Sequence, residues 1–223
     1  MNFRSSCKSL CMALLALVGV ATMARAAAPE LIATGDFDFY VLTLSWSPGF
    51  CDSGGAEKSR DQCAVGAAQG FVVHGLWPEN SNRPYPSDCS DPGYIAGSAL
   101  RETHGLYPAE GLARYEYRKH GTCTGLSPEN YFHAVKYARE RLTVPEILRA
   151  PHDALTLAPR EIESAFVAAN PALTSANFAV TCSHGELIDL RVCVAKDLDS
   201  YVDCPKIAGH SCHSRAIKVA PLR

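Results

Sequence analysis

Beyond its first segment the sequence has no apolar stretch long enough to cross a bilayer, so no membrane span is expected in the mature chain. It has no internal repeat, no low-complexity tract and no linker, which argues against repeat arrays and a second full domain. Positive charge is not in surplus: 21 Lys and Arg stand against 23 Asp and Glu. The zinc spacings are also missing, with no Cys-x-x-Cys pair and no His-Glu-x-x-His helix.

The 223 residues are 47% hydrophobic and 20% charged, which suits one globular domain with a real core. The first residues read differently. Arg4 and Lys8 make a short positive region, Leu10 to Met23 is apolar, and Ala24-Arg25-Ala26, followed by Ala27 and Ala28, offers small-residue cleavage sites. Residues 1–26 are therefore expected to be a secretory signal peptide and residues 27–223 the mature domain, with a retained N-terminal anchor as the alternative. Removing residues 1–26 takes three of the 21 basic residues (Arg4, Lys8, Arg25) and no acid, leaving 18 against 23 and a net of −5. A protein that holds nucleic acid by bulk electrostatics is usually basic, so any nucleic acid would be met at a local site and released.

Cysteine usage agrees with export. Of ten cysteines, Cys7 and Cys11 lie in the leader, leaving Cys51, Cys63, Cys89, Cys123, Cys182, Cys193, Cys204 and Cys212. An even, spread set in an exported chain implies disulfides, and spacing alone does not give their pairing.

Alternation over residues 37–46 predicts a strand, and residues 70–77 a second, largely buried one stopped by Pro78. Residues 79–98 read as a long loop tied down by Cys89. Helices are expected over residues 111–121, from Ser127-Pro128-Glu129 onward, and from Pro159 to before Pro171. Strands are expected at 178–183 and 186–195, the second with Asp189, Arg191 and Cys193 on one face. The pattern implies α+β: helices packed on a central antiparallel sheet, in one disulfide-stapled domain.

Two segments carry chemistry. In Phe71-Val72-Val73-His74-Gly75-Leu76-Trp77-Pro78, a histidine lies in a buried strand before glycine; taken alone it reads as a satisfied core residue. In Arg114-Tyr115-Glu116-Tyr117-Arg118-Lys119-His120-Gly121-Thr122-Cys123, helical spacing puts Glu116 beside both His120 and Lys119; taken alone it reads as a solvated ion-paired face. Together they place two histidines, a carboxylate and a lysine at element ends, where sites form. That set matches phosphodiester cleavage: one imidazole takes a proton, another gives one, and a cation steadies the added negative charge.

Both segments resemble the two active-site signatures of the ribonuclease T(2) family, at Phe71 to Pro78 and at Glu116 with Lys119-His120-Gly121-Thr122-Cys123. Gly35 to Trp46 resembles the family's first strand, and Arg114-Tyr115-Glu116-Tyr117 its bacterial periplasmic branch. The resemblance spans roughly residues 35–212. It implies an endoribonuclease that cuts single-stranded RNA through the 2′-hydroxyl to 2′,3′-cyclic phosphates and then 3′-phosphates, with little base specificity, no cofactor or metal, and no cleavage of DNA. It implies His120 as general base, His74 as general acid, and Glu116 and Lys119 as stabilisers of the transition state. Many members carry a third histidine where Tyr115 stands; the hydroxyl can donate a hydrogen bond but carries no positive charge at neutral pH, which bears on phosphate affinity. Trp77, Glu79 and Tyr85 fall where relatives bind a base, although Glu79 equally reads as a loop carboxylate in water. Trp46 reads as core. The resemblance also implies the pairs Cys89–Cys123, Cys182–Cys212, Cys193–Cys204 and Cys51–Cys63.

Two rival readings remain. His210, Cys212 and His213, or the pair His74 and His120, would be the ligands of a metal site. A non-catalytic extracellular binding protein on the same scaffold is the other, against which stands the intact set His74, Glu116, Lys119 and His120. A monomeric product in a periplasm or outside the cell is expected.

Overall fold

The computed structural model describes residues 33–223; the expected signal peptide, with Cys7 and Cys11, lies outside them. Strand β1 (Phe39–Trp46) is buried along its whole length, because it runs between two antiparallel neighbours, β2 (Phe71–Glu79) and β5 (Glu186–Val194), with both faces covered. Its even positions, Tyr40, Leu42, Leu44 and Trp46, enter the main core; Phe39 and Val41 join a smaller cluster with Ala179, Cys193, Cys204 and Ile207. Trp46 is fully buried, as expected of a core residue.

Strand β4 (Phe178–Ser183) pairs with β5, and two three-residue strands, β3 (Leu155–Leu157) and β6 (Ile217–Val219), complete a six-stranded sheet. The sheet is mixed rather than purely antiparallel: β5 meets β6 in parallel at Glu186 and Lys218. Pro78 does not stop β2, which runs on to Glu79. As an edge strand, β2 has one side without a ladder partner, and a residue with no N–H is tolerated there.

Helices α2 (Glu110–Lys119), α3 (Pro128–Glu140) and α5 (Pro159–Ala169) send Tyr117, Tyr131, Phe132, Val135, Ile162 and Phe166 into the main core. The Ser127 side chain accepts from Asn130 N–H and caps α3. Three short helices, α1 (Ser47–Asp52), α4 (Glu146–Arg149) and α6 (Pro205–Ala208), fill the connections. Pro48 ends β1 by opening α1 in its first turn, a position where a missing N–H costs nothing.

Four disulfides staple the domain: Cys51–Cys63, Cys89–Cys123, Cys182–Cys212 and Cys193–Cys204. Cys212 is thereby removed from any metal site with His210 and His213. Among the described residues no helix is long and apolar enough to cross a membrane.

Candidate active site

The site begins with an irregularity in β2. Thr43 of β1 faces Gly75 and Leu44 faces Val73, so His74 is the extra residue of a β-bulge. The bulge resets the alternation: Val73 and Leu76, three apart, both reach the main core, while Trp77 turns to the other side. His74 is left half-exposed at the turn-over point.

Glycine follows His74 for a spatial reason. A Cβ at residue 75 would collide with Trp77 Nε1 and Glu116 Oε2. Those two atoms share a 2.7 Å hydrogen bond, the indole donating to the carboxylate. Helix α2 brings Glu116 to this point and buries it to 1% exposure. His120 closes the helix, with its N–H on the Glu116 carbonyl at 2.8 Å.

Glu116 thus stands between the two imidazoles. His74 Nε2 lies 3.5 Å from Oε1 and His120 Nε2 lies 4.0 Å from Oε2. Residues remote in the chain converge on one open cleft of about 390 Å³, which His74, Trp77, Glu79, Tyr85, Tyr115, Glu116, Lys119 and His120 all line. Tyr85 and Tyr115 are each about half exposed at its rim, at 48% and 46%. The Tyr85 ring sits 6.0 Å from the His120 ring.

Glu79 is not a loop carboxylate in water. It ends β2, is 8% exposed, and its Oε1 accepts from Asn80 N–H at 3.0 Å and from Lys206 of α6 at 3.2 Å. A second, more apolar cleft of about 500 Å³ opens on the other side of His74, between Phe50, Val73, Pro108 and Leu112.

Burial dominates the site's electrostatics. It raises the Glu116 carboxyl to about 7, against the pull of the Trp77 hydrogen bond and of Lys119. It lowers His120 to about 4, helped by Lys119 and His74 and opposed by Asp88. It also lowers His74, where Asp189 opposes it and Arg191 and Lys119 reinforce it. Lys119 itself is raised, chiefly by the neighbouring Tyr115, whose ring lies 5.5 Å from its Nζ, and stays cationic. The cleft therefore pairs a neutral imidazole with a fixed cation at neutral pH.

Three polar residues at the site gave no signal of their own in the sequence. Arg191 of β5 lines the cleft, its guanidinium 5.8 Å above the Trp77 ring. Ser45 and Asp189 stand behind His74. The hint available was that Asp189 and Arg191 share one face of an otherwise apolar strand.

A bulged strand, a capped helix end and two imidazoles about one buried carboxylate define an α+β enzyme equipped for acid–base chemistry. The sequence profile of the Ribonuclease T2 family matches residues 37–204, and the chain belongs to that family. It is 29% identical to Ribonuclease DdI of Dictyostelium discoideum over 219 residues, covering 90% of this chain and 93% of that one. It is 31% identical to Ribonuclease I of Escherichia coli K12 over 173 residues, or 59% of this chain and 65% of that one. Among solved structures, an RNase-related protein from Calystegia sepium has the same fold, with a TM-score of 0.67 at 21% identity over 84% of this chain and 98% of that one.

Proposed function

We propose that this cleft cleaves single-stranded RNA by attack of the ribose 2′-hydroxyl on the adjacent phosphorus; family membership makes the chain an endoribonuclease. His120, largely neutral at physiological pH because of its burial, takes the 2′-proton. The 2′-oxygen bonds to phosphorus, the bond to the 5′-oxygen breaks, and His74 supplies the proton that oxygen needs. The product is a 2′,3′-cyclic phosphate. Water then opens it with the two histidines in exchanged roles, leaving a 3′-phosphate. Lys119, with Glu116 beside it, faces the negative charge that gathers on the phosphoryl oxygens. The observation that carries this reading is that both Nε2 atoms lie within 4.0 Å of one carboxylate at the wall of one open cleft.

Trp77 and Tyr85 offer aromatic faces, which accept any base, and the free oxygen of Glu79 an acceptor for an amino group. Low base specificity follows where stacking on such faces carries most of the binding. DNA lacks the nucleophile and is not cut. Four disulfides fit an oxidising compartment, so the protein is exported, to a periplasm or beyond, behind a cleaved signal of residues 1–26, and it acts as a monomer.

The test is digestion of a mixed-sequence RNA in excess chelator with analysis of product ends. Cyclic 2′,3′-phosphates at all base steps, with DNA and 2′-O-methyl RNA intact, are expected. Cleavage of 2′-O-methyl RNA, or activity lost to the chelator, would overturn the reading.

A further inference from the structure

Behind His74, away from the carboxylate it shares with His120, a second polar chain leads inward. Ser45 of β1 and Asp189 of β5 are direct cross-strand partners, 7% and 8% exposed. The Ser45 hydroxyl lies 2.7 Å from Asp189 Oδ1 and 3.3 Å from His74 Nδ1. A hydroxyl has one proton, and at this distance from a carboxylate the proton points at the carboxylate. Ser45 then presents only lone pairs to His74, so the contact requires a hydrogen on Nδ1. That leaves Nε2, which faces Glu116, as the nitrogen that carries or lacks the working proton.

We propose that Asp189, acting through Ser45, is a positioning relay for His74 that fixes its tautomer and stabilises its charged form as the acid of the cleavage step. The proposal rests on the RNA-cleaving reading of the cleft. In that step the bond from phosphorus to the 5′-oxygen breaks and its electron pair stays on the oxygen. Nε2 gives up its proton to that oxygen, and the neutral ring keeps its hydrogen on Nδ1, still held by Ser45.

The surroundings of the ring make such a relay necessary. Burial, Lys119 from α2 and Arg191 from β5 all disfavour a charged His74, and Asp189 is the group that opposes them. Glu116, the other carboxylate at the ring, is itself held near half-ionisation around neutrality by burial. His120 lies beyond Glu116 and adds no negative charge. Asp189 meets Arg191 through its other oxygen, Oδ2, at 3.7 Å, which leaves Oδ1 to Ser45.

The experiment uses the disulfide-bonded mature protein, its Asp189→Asn and Ser45→Ala variants, and two substrates. A dinucleoside monophosphate has a poor leaving group that needs a proton. Uridine 3′-(4-nitrophenyl phosphate) has a leaving group that departs without one. We expect each variant to lose about tenfold in kcat/KM on the dinucleotide at about pH 7.5, where the protonated fraction of His74 sets the rate. Loss on the nitrophenyl ester stays within about twofold, because no acid is needed there. The alkaline limb of the dinucleotide profile moves to lower pH in Asp189→Asn, and the NMR titration of the His74 ring moves with it. Equal losses on both substrates, or an alkaline limb and His74 titration unchanged in Asp189→Asn, overturn the relay. Should Asp189→Asn fail to fold, the same substrate comparison in Ser45→Ala decides. A wild-type protein that cleaves neither substrate, or a His74→Ala variant as active as wild type on the dinucleotide, would instead sink the reading of the cleft itself.

Discussion

Trp77 and Glu116 are joined by a 2.7 Å hydrogen bond that runs directly over Gly75. The bond ties edge strand β2 to helix α2 and orients the carboxylate between the two histidines. It exists because residue 75 has no side chain. The glycine after His74 is thus a statement about space, not about backbone freedom.

Gly75→Ala therefore displaces the indole or the carboxylate, and with them the alignment of both imidazoles. We expect kcat/KM on RNA to fall at least about tenfold, with a stability loss of about 1–3 kcal/mol from overpacking. Full activity with an unchanged unfolding midpoint would show that the Trp77–Glu116 contact is not needed.

His74→Ala and His120→Ala each lower turnover on RNA by about 10²–10⁴-fold while the far-ultraviolet circular dichroism stays that of wild type. Their roles separate on the 4-nitrophenyl ester. On the proposed roles, His120→Ala still lacks the base and stays slow, whereas His74→Ala lacks only an acid this substrate does not need and recovers most of the rate. The reverse ranking would exchange the two roles.

Stability should carry the mark of Glu116. Its pKa is raised from 4.5 in the unfolded chain to about 7 in the folded one, so its contribution is full below pH 4.5 and is lost as pH rises through 7. His120, lowered to about 4, acts in the opposite sense: its contribution is present above the ordinary histidine value of 6.5 and lost as pH falls through 4. Glu116→Gln removes the first contribution only. Urea unfolding between about pH 5 and 8 should show the variant gaining on wild type by at most about 3 kcal/mol. Parallel stability curves would contradict a buried, proton-holding Glu116.

The sequence named every residue of the cleft that belongs to a local signature, because Glu116, Lys119 and His120 are neighbours on one helix and His74, Trp77 and Glu79 on one strand. Ser45 and Asp189 escaped it for a physical reason. Each occupies one position of an apolar alternation, and their meaning arises only when β1 and β5 pair in register with a histidine displaced by a bulge. The bulge was itself half legible: Val73 and Leu76 are both apolar yet three apart, which a regular strand cannot send to one face. Strands β3 and β6 were not legible, since three residues give no period and their pairing spans some sixty residues of chain. Pro78 misled because proline ends a central strand but not the outer side of an edge strand.

The Cys89–Cys123 bond controls the wall of the cleft that no strand or helix supports. Cys123 follows His120 by three residues, and Cys89 lies in the long loop that carries Tyr85. A backbone hydrogen bond from Asp88 N–H to the Lys119 carbonyl, 2.7 Å, is the other tie at this point. Replacing both cysteines with alanine opens a loop of 34 residues and should cost about 2–5 kcal/mol. The proposed catalytic groups stand on β2 and at the end of α2, which the β1–β2 ladder and the main core still hold. The Arg83–Asp36 pair and the Asn80 bond to the Pro84 carbonyl still hold the loop before Tyr85, so Tyr85 loosens without being freed, and KM for RNA should rise several-fold while kcat falls less. Urea unfolding and steady-state kinetics measure the two effects. A collapse of kcat at constant KM would mean that the bond holds the catalytic helix itself rather than the loop in front of it.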